Sequence, residues 1–162
     1  MLRILAAFIF FTRLPFWRLA EVPSEYFKNV VSRWALVGWL TAGLSVIVLY
    51  TASLILPASV AVLLAIVTRL LITGCLHEDG LADFFDGFGG GTSRERILSI
   101  MKDSHIGSYG VIGLILYFAL LYTLLSSLPL TLAGSAILAG DPFSKGVAGL
   151  ITNRLPYART EE

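Results

Sequence analysis

Long uncharged apolar runs alternate with short polar stretches along this chain, and the runs are of membrane-crossing length. No Asp, Glu, Lys or Arg occurs from Trp34 to Leu56. Pro57 marks a tight uncharged turn, after which Ala58 to Leu76 runs back with a single charge, Arg69. Val111 to Leu128 forms a third run, and Pro129 a second uncharged turn. A fourth run, from Leu130 to Ile151, is interrupted by Gly140-Asp141-Pro142 and by Lys145. A helix needs about 20 apolar residues to cross a hydrocarbon core of ~30 Å. The pattern therefore predicts an all-α, polytopic membrane fold with four transmembrane helices, at 34–56, 58–76, 111–128 and 130–151, in one domain over 1–162. Residues 1–16 are too short to span and end at Arg13 and Pro15, so they predict an interfacial helix. No small-residue cleavage site follows MLRILAAFIFF, which argues against a signal peptide. With the polar stretch 17–33 they make an interfacial segment, 1–33.

Composition agrees. Hydrophobic residues make up 56% of the chain and charged residues 14%, against about a quarter charged in soluble domains. Mean hydropathy is +0.80. A single cysteine, Cys75, excludes an intramolecular disulfide and any cysteine-based metal site. A net charge of +1 gives no sign of a nucleic-acid partner. The turns at Pro57 and Pro129 contain no Lys or Arg, whereas the N-terminal segment, the stretch 77–110 and the tail hold nearly all of them. The positive-inside rule then places both termini and the 77–110 loop in the cytoplasm, with the chain in the cell inner membrane.

That loop, HEDGLADFFDGFGGGTSRERILSIMKDSHIGSYG from His77 to Gly110, is the longest charged stretch. On a helix, Asp79, Asp83 and Asp86 fall within about sixty degrees of one another, while Leu81, Phe84, Phe85 and Phe88 collect opposite. Three like charges on adjacent turns repel one another, so a cation on the stripe is expected. Oxygen-only ligands favour Mg²⁺ first, with Mn²⁺ or Ca²⁺ behind it. Gly87 and Gly89-Gly90-Gly91 are expected to end this helix in a turn. Thr92 with Glu95 fits a capping box for a second short helix. Arg94, Arg96 and Lys102 put cations on the same loop, a combination suited to phosphoryl chemistry at a diphosphate.

Two charges lie inside the apolar runs. Arg69 is twelve residues from Pro57 and Asp141 twelve from Pro129, so both sit roughly 18 Å below the outer face. A charge at that depth is costly unless paired. Arg69 and Asp141 are therefore expected to pair or share a polar cavity, joined by Lys145, with Arg69 and Lys145 available to phosphate.

At HEDGLADFFDG followed by RERILSIMKDSHIGSYG the sequence resembles cobalamin synthase, the adenosylcobinamide-GDP ribazoletransferase family. FFTRLPFW near the N-terminus, LLITGCLHEDGLAD, DPFSK and LPYAR carry the resemblance along essentially the whole chain. It implies a membrane enzyme that joins adenosylcobinamide-GDP to α-ribazole, or its 5′-phosphate, and releases GMP with Mg²⁺ as cofactor. It also implies that Asp79, Asp83 and Asp86 hold the metal on the diphosphate, and that Asp103 extends that site. Glu78, about a hundred degrees off the stripe, is implied as a further ligand or a base; Arg94, Arg96 and Lys102 are implied as phosphate contacts. The implied partners are the two substrates and the bilayer, with no nucleic acid; a homo-oligomer is compatible. The chain is shorter than other members of that family, so the expectation is a C-terminally shortened one.

Two other readings compete. A CDP-alcohol phosphotransferase also uses spaced aspartates on membrane helices, but its motif has an Arg where Asp83 stands and a longer spacing to the later acids. An ion-coupled transporter would place its acids along a span rather than in a glycine-rich loop.

Overall fold

The structure, a computed structural model, describes residues 1–152, 154 and 155. Among these, all regular structure is helical. The elements are α1 (Leu2–Phe11), short 3₁₀ turns at Phe16–Arg18 and Ser24–Arg33, α2 (Trp34–Ser53), α3 (Ala58–Thr73), α4 (Leu76–Gly90), α5 (Arg94–Ile100), α6 (Ser108–Ser127) and α7 (Leu130–Thr152). The LPYAR motif and most of the C-terminal tail, from Pro156 on, lie outside the described residues, as does Asn153.

Among the described residues, two stretches are long and apolar enough to cross a membrane: Ser24–Ser53, which contains α2, and α6. A third arises if α3 and α4 count as one broken span. The 20 residues of α2 correspond to about 30 Å, the thickness of a hydrocarbon core. The expected run 58–76 stops earlier, because α3 ends at Thr73 with Gly74 and Cys75 both left-handed, φ 63° and 60°. Gly74 suits that conformation, and Arg13 supplies a second reason: its side chain lies where a Cβ on Gly74 would be. The interruption expected at Gly140-Asp141-Pro142 is absent. α7 is one 23-residue helix with Pro142 inside it, as happens in membrane helices whose neighbours accommodate the freed backbone group.

The chain divides into two compact units. The first comprises Met1–Gly74 and, of the later part of the chain, the described residues from Leu125 to Leu155. Its N-terminal part packs Ala6, Ala7 and Phe11 of α1 against Val30 and Val37, with Phe11 stacked on Trp34 at 5.1 Å. α2 packs against both α3 and α7. It buries Val37, Gly38, Thr41, Ala42, Ser45 and Leu49, one helical stripe, and exposes Leu36, Trp39, Ile47 and Tyr50. Small residues let helix backbones approach in a bilayer, and α2–α7 shows this directly. A Cβ on Gly38 would come within 2.5 Å of the Pro142 Cα.

The second unit, within Cys75–Leu124, holds α4, α5 and most of α6. Its glycines serve contact more than turning. α4 runs through Gly90 rather than ending at Gly87, and Gly91 is extended, φ −97°. Gly87 faces Met101, Gly91 faces Ile97 and Gly89 faces the Tyr109 ring.

Candidate active site

The acidic stripe folds as its spacing predicts, on α4. Asp79 and Asp83 line a hollow of about 280 Å³ together with Met101, Lys102, Asp103 and His105. The lining thus carries three carboxylates against one ammonium group, an excess of two negative charges when His105 is neutral. It includes neither Arg94 nor Arg96, which are exposed on α5, nor Glu78, which is buried at 5% exposure. Arg69 on α3 and Lys145 on α7 belong to the first unit.

Asp86 has a different duty from its two companions. It is buried, and its carboxylate accepts the Gly107 N–H at 2.7 Å and the Gly110 N–H at 2.8 Å. Both oxygens thereby pin the loop that leads into α6. Gly107 and Gly110 must lack side chains, since Asp86 oxygens occupy the space of either Cβ. Sequence reasoning missed this contact. The partners are backbone groups, and nothing in a Gly-Ser-Tyr-Gly string names the acid that they will hold.

The loop after α5 is shaped by its own hydrogen bonds. His105 Nδ1 lies 2.6 Å from Asp103 Oδ1, which also accepts the His105 backbone N–H at 3.0 Å. The imidazole beside it, then that N–H, holds the Asp103 carboxyl below its ordinary range, so Asp103 is ionised at neutral pH. The cap of α5 is Ser93, not Thr92. Its hydroxyl accepts the Arg96 N–H at 3.2 Å. A backbone N–H, then the Ser93 hydroxyl, lowers the Glu95 carboxyl.

In the first unit, Asp141 pairs with Lys145 one turn along α7 and accepts the Thr41 hydroxyl from α2. Lys145 is therefore an ion-pair partner of Asp141. Lys145 is 3% exposed.

Among the described residues, no three His, Cys, Asp or Glu side chains are gathered tightly enough to cage an ion alone. The donor set still suits Mg²⁺. That ion demands oxygen ligands and characteristically takes one or two carboxylates, completing its shell with water and substrate phosphate.

The family model for cobalamin-5-phosphate synthase matches residues 3–162, nearly the whole chain. The chain belongs to this family. Among curated proteins it is similar to the adenosylcobinamide-GDP ribazoletransferases of Shewanella sp. (strain W3-18-1), at 45% identity over 161 residues, and of Shewanella baltica (strain OS185), at 44%. Each match covers 98% of this chain and 62% of the relative. The Shewanella oneidensis protein of the same name is 42% identical, over 94% of this chain and 60% of its own length. The chain thus spans about three-fifths of the length of these cobalamin-5-phosphate synthase relatives. No solved structure matches it.

Proposed function

We propose that this protein joins adenosylcobinamide-GDP to α-ribazole, or to its 5′-phosphate, with release of GMP, the final step of cobalamin nucleotide-loop assembly. The observation that carries the reading is the hollow of α4, where Asp79, Asp83, Lys102 and Asp103 meet in a chain of this family. The ribazole hydroxyl oxygen bonds to the phosphorus nearer the cobinamide, the bridging P–O bond breaks, and GMP departs with the bridging oxygen. A carboxylate of the stripe takes the hydroxyl proton. Lys102 holds a phosphate oxygen at the hollow, and Arg94 and Arg96 of the same unit are proposed as further phosphate contacts. Mg²⁺ would be held by Asp79 and Asp83 with Asp103 beside them, and when bound it neutralises charge developing on the leaving phosphate. Asp86 acts on this site by fixing the loop. The nucleotide substrate places the 77–110 loop on the cytoplasmic face of the inner membrane, with both termini on that side and four spans, α7 included. The absence of basic residues from the turns at Pro57 and Pro129 supports that topology.

The test is GMP release by the purified protein from adenosylcobinamide-GDP and α-ribazole. Release should require Mg²⁺ and fall roughly a hundredfold in Asp79→Asn and Asp83→Asn, which keep the shape of a ligand but lose its charge. A folded protein that releases no GMP with either acceptor refutes the reading.

A further inference from the structure

A second polar hollow lies in the first unit, between the start of α1 and the Ser24–Arg33 segment. It measures about 500 Å³ and is lined by Arg3, Glu25, Tyr26, Asn29, Ser32 and Arg33. That is within the size of a small-ligand site. Neither guanidinium makes an ion pair among the described residues. Arg33 is nonetheless held in place. Its Nη1 donates to Ser32 Oγ at 2.7 Å, and that hydroxyl donates to the Asn29 carbonyl at 2.7 Å. Asn29 is itself the kink of the segment, φ −128° and ψ 31°, so the backbone bends at the lining. Both cations sit where an α-helix begins, α1 for Arg3 and α2 for Arg33. A positive side chain there is disfavoured unless an anion accompanies it. Two guanidinium groups against one carboxylate leave an excess of one positive charge, the complement of a singly charged phosphodiester.

The location indicates the source of the anion. Arg33 immediately precedes the apolar α2, and Trp17, Leu19 and Phe10 of the same N-terminal part are exposed. Exposed aromatic and apolar side chains beside basic residues are the anchors of a membrane–water interface. We infer that the hollow between α1 and the Ser24–Arg33 segment is a phosphate site that seats the phosphodiester of an anionic lipid headgroup through Arg3 and Arg33. Glu25, Tyr26 and Asn29 then face the headgroup alcohol, for which they offer hydrogen-bond acceptors.

The full chain in nanodiscs tests this, with lipid retention read by native mass spectrometry and the thermal midpoint read in parallel. The wild type should retain phosphatidylglycerol over phosphatidylcholine. The Arg3→Gln/Arg33→Gln variant should lose that preference roughly thirty-fold, since each interfacial cation contributes a several-fold attraction. Arg18→Gln/Lys28→Gln removes two exposed cations that are not in the lining and should keep the preference. Arg3→Gln alone, at an exposed position, gives the same reading if the double variant folds poorly. Inorganic phosphate added to phosphatidylcholine discs separates the sources. A midpoint raised by phosphate in the wild type, and not in Arg3→Gln, keeps the phosphate site but makes the ligand a soluble one. Equal losses in the two double variants would mean a diffuse basic surface, and the site would be overturned. Retention without preference, together with no response to phosphate, would overturn it as well.

Discussion

Loss of Asp86 should release two contacts of the 107–110 loop at once. A carboxylate that accepts two backbone N–H groups has no second arrangement available, because Gly107 and Gly110 close over it. Charge-assisted bonds of this kind contribute more than neutral ones. In Gly107→Ala the new Cβ would fall 2.5 Å from Asp86 Oδ1. The carboxylate must move and both bonds weaken, at a cost on the order of 3 kcal/mol. Gly80→Ala is the matched control. Nothing lies within 4 Å of its Cβ, and alanine is favoured over glycine within a helix by up to about 1 kcal/mol. Thermal unfolding in detergent should show the first midpoint falling and the second steady or rising. Equal midpoints would mean that the Asp86 contact contributes little.

At the scale of elements, α2 and α7 are joined by one buried polar group. Asp141 takes Lys145 from its own helix and the Thr41 hydroxyl from the facing one. Removing one partner of a buried ion pair strands the other, typically at 3–5 kcal/mol, while removing both is far cheaper. Lys145→Met should therefore destabilise strongly, and Asp141→Asn/Lys145→Met by less than the sum of its single changes; a chemical-unfolding cycle measures the difference. Additive effects would contradict the coupling. Much of this element level was legible beforehand. The i, i+4, i+7 acids foretold α4, and the uncharged runs foretold α2 and α6. What failed was local in sequence but decided elsewhere. Thr92 and Ser93 are both competent caps, and the backbone's entry into α5 selects Ser93. The glycines of 87–91 read equally as a turn or as a contact surface until Met101, Ile97 and Tyr109 are known to lie on them. Pro142 reads as a break, yet Gly38 makes room for its ring and the helix continues.

For the whole molecule, the proposed arrangement puts the turns at Pro57 and Pro129 on one face of the membrane and the 77–110 loop on the other. Reporters fused at Pro57 and Pro129 should score as outside and one at Gly90 as inside. A Gly90 reporter on the outside would part the α4 hollow from cytoplasmic nucleotides and reverse the proposed arrangement. The sequence carries this signal only in its basic residues, because an apolar helix reads the same in either direction.

The spacing of the two polar clasps also sets an order of assembly. Asp86 meets partners 21 and 24 residues further on, whereas Thr41 meets Asp141 100 residues away. Closing a longer loop costs more entropy, and during synthesis the distant partner does not yet exist. At 5–20 residues per second, α2 waits roughly 5–20 s for α7. Throughout that wait its groove at Gly38 and the hydroxyl of Thr41 are open to any helix nearby. Crowded synthesis thus favours pairing between nascent copies at this seam, a hazard that the quickly closed α4 loop does not share.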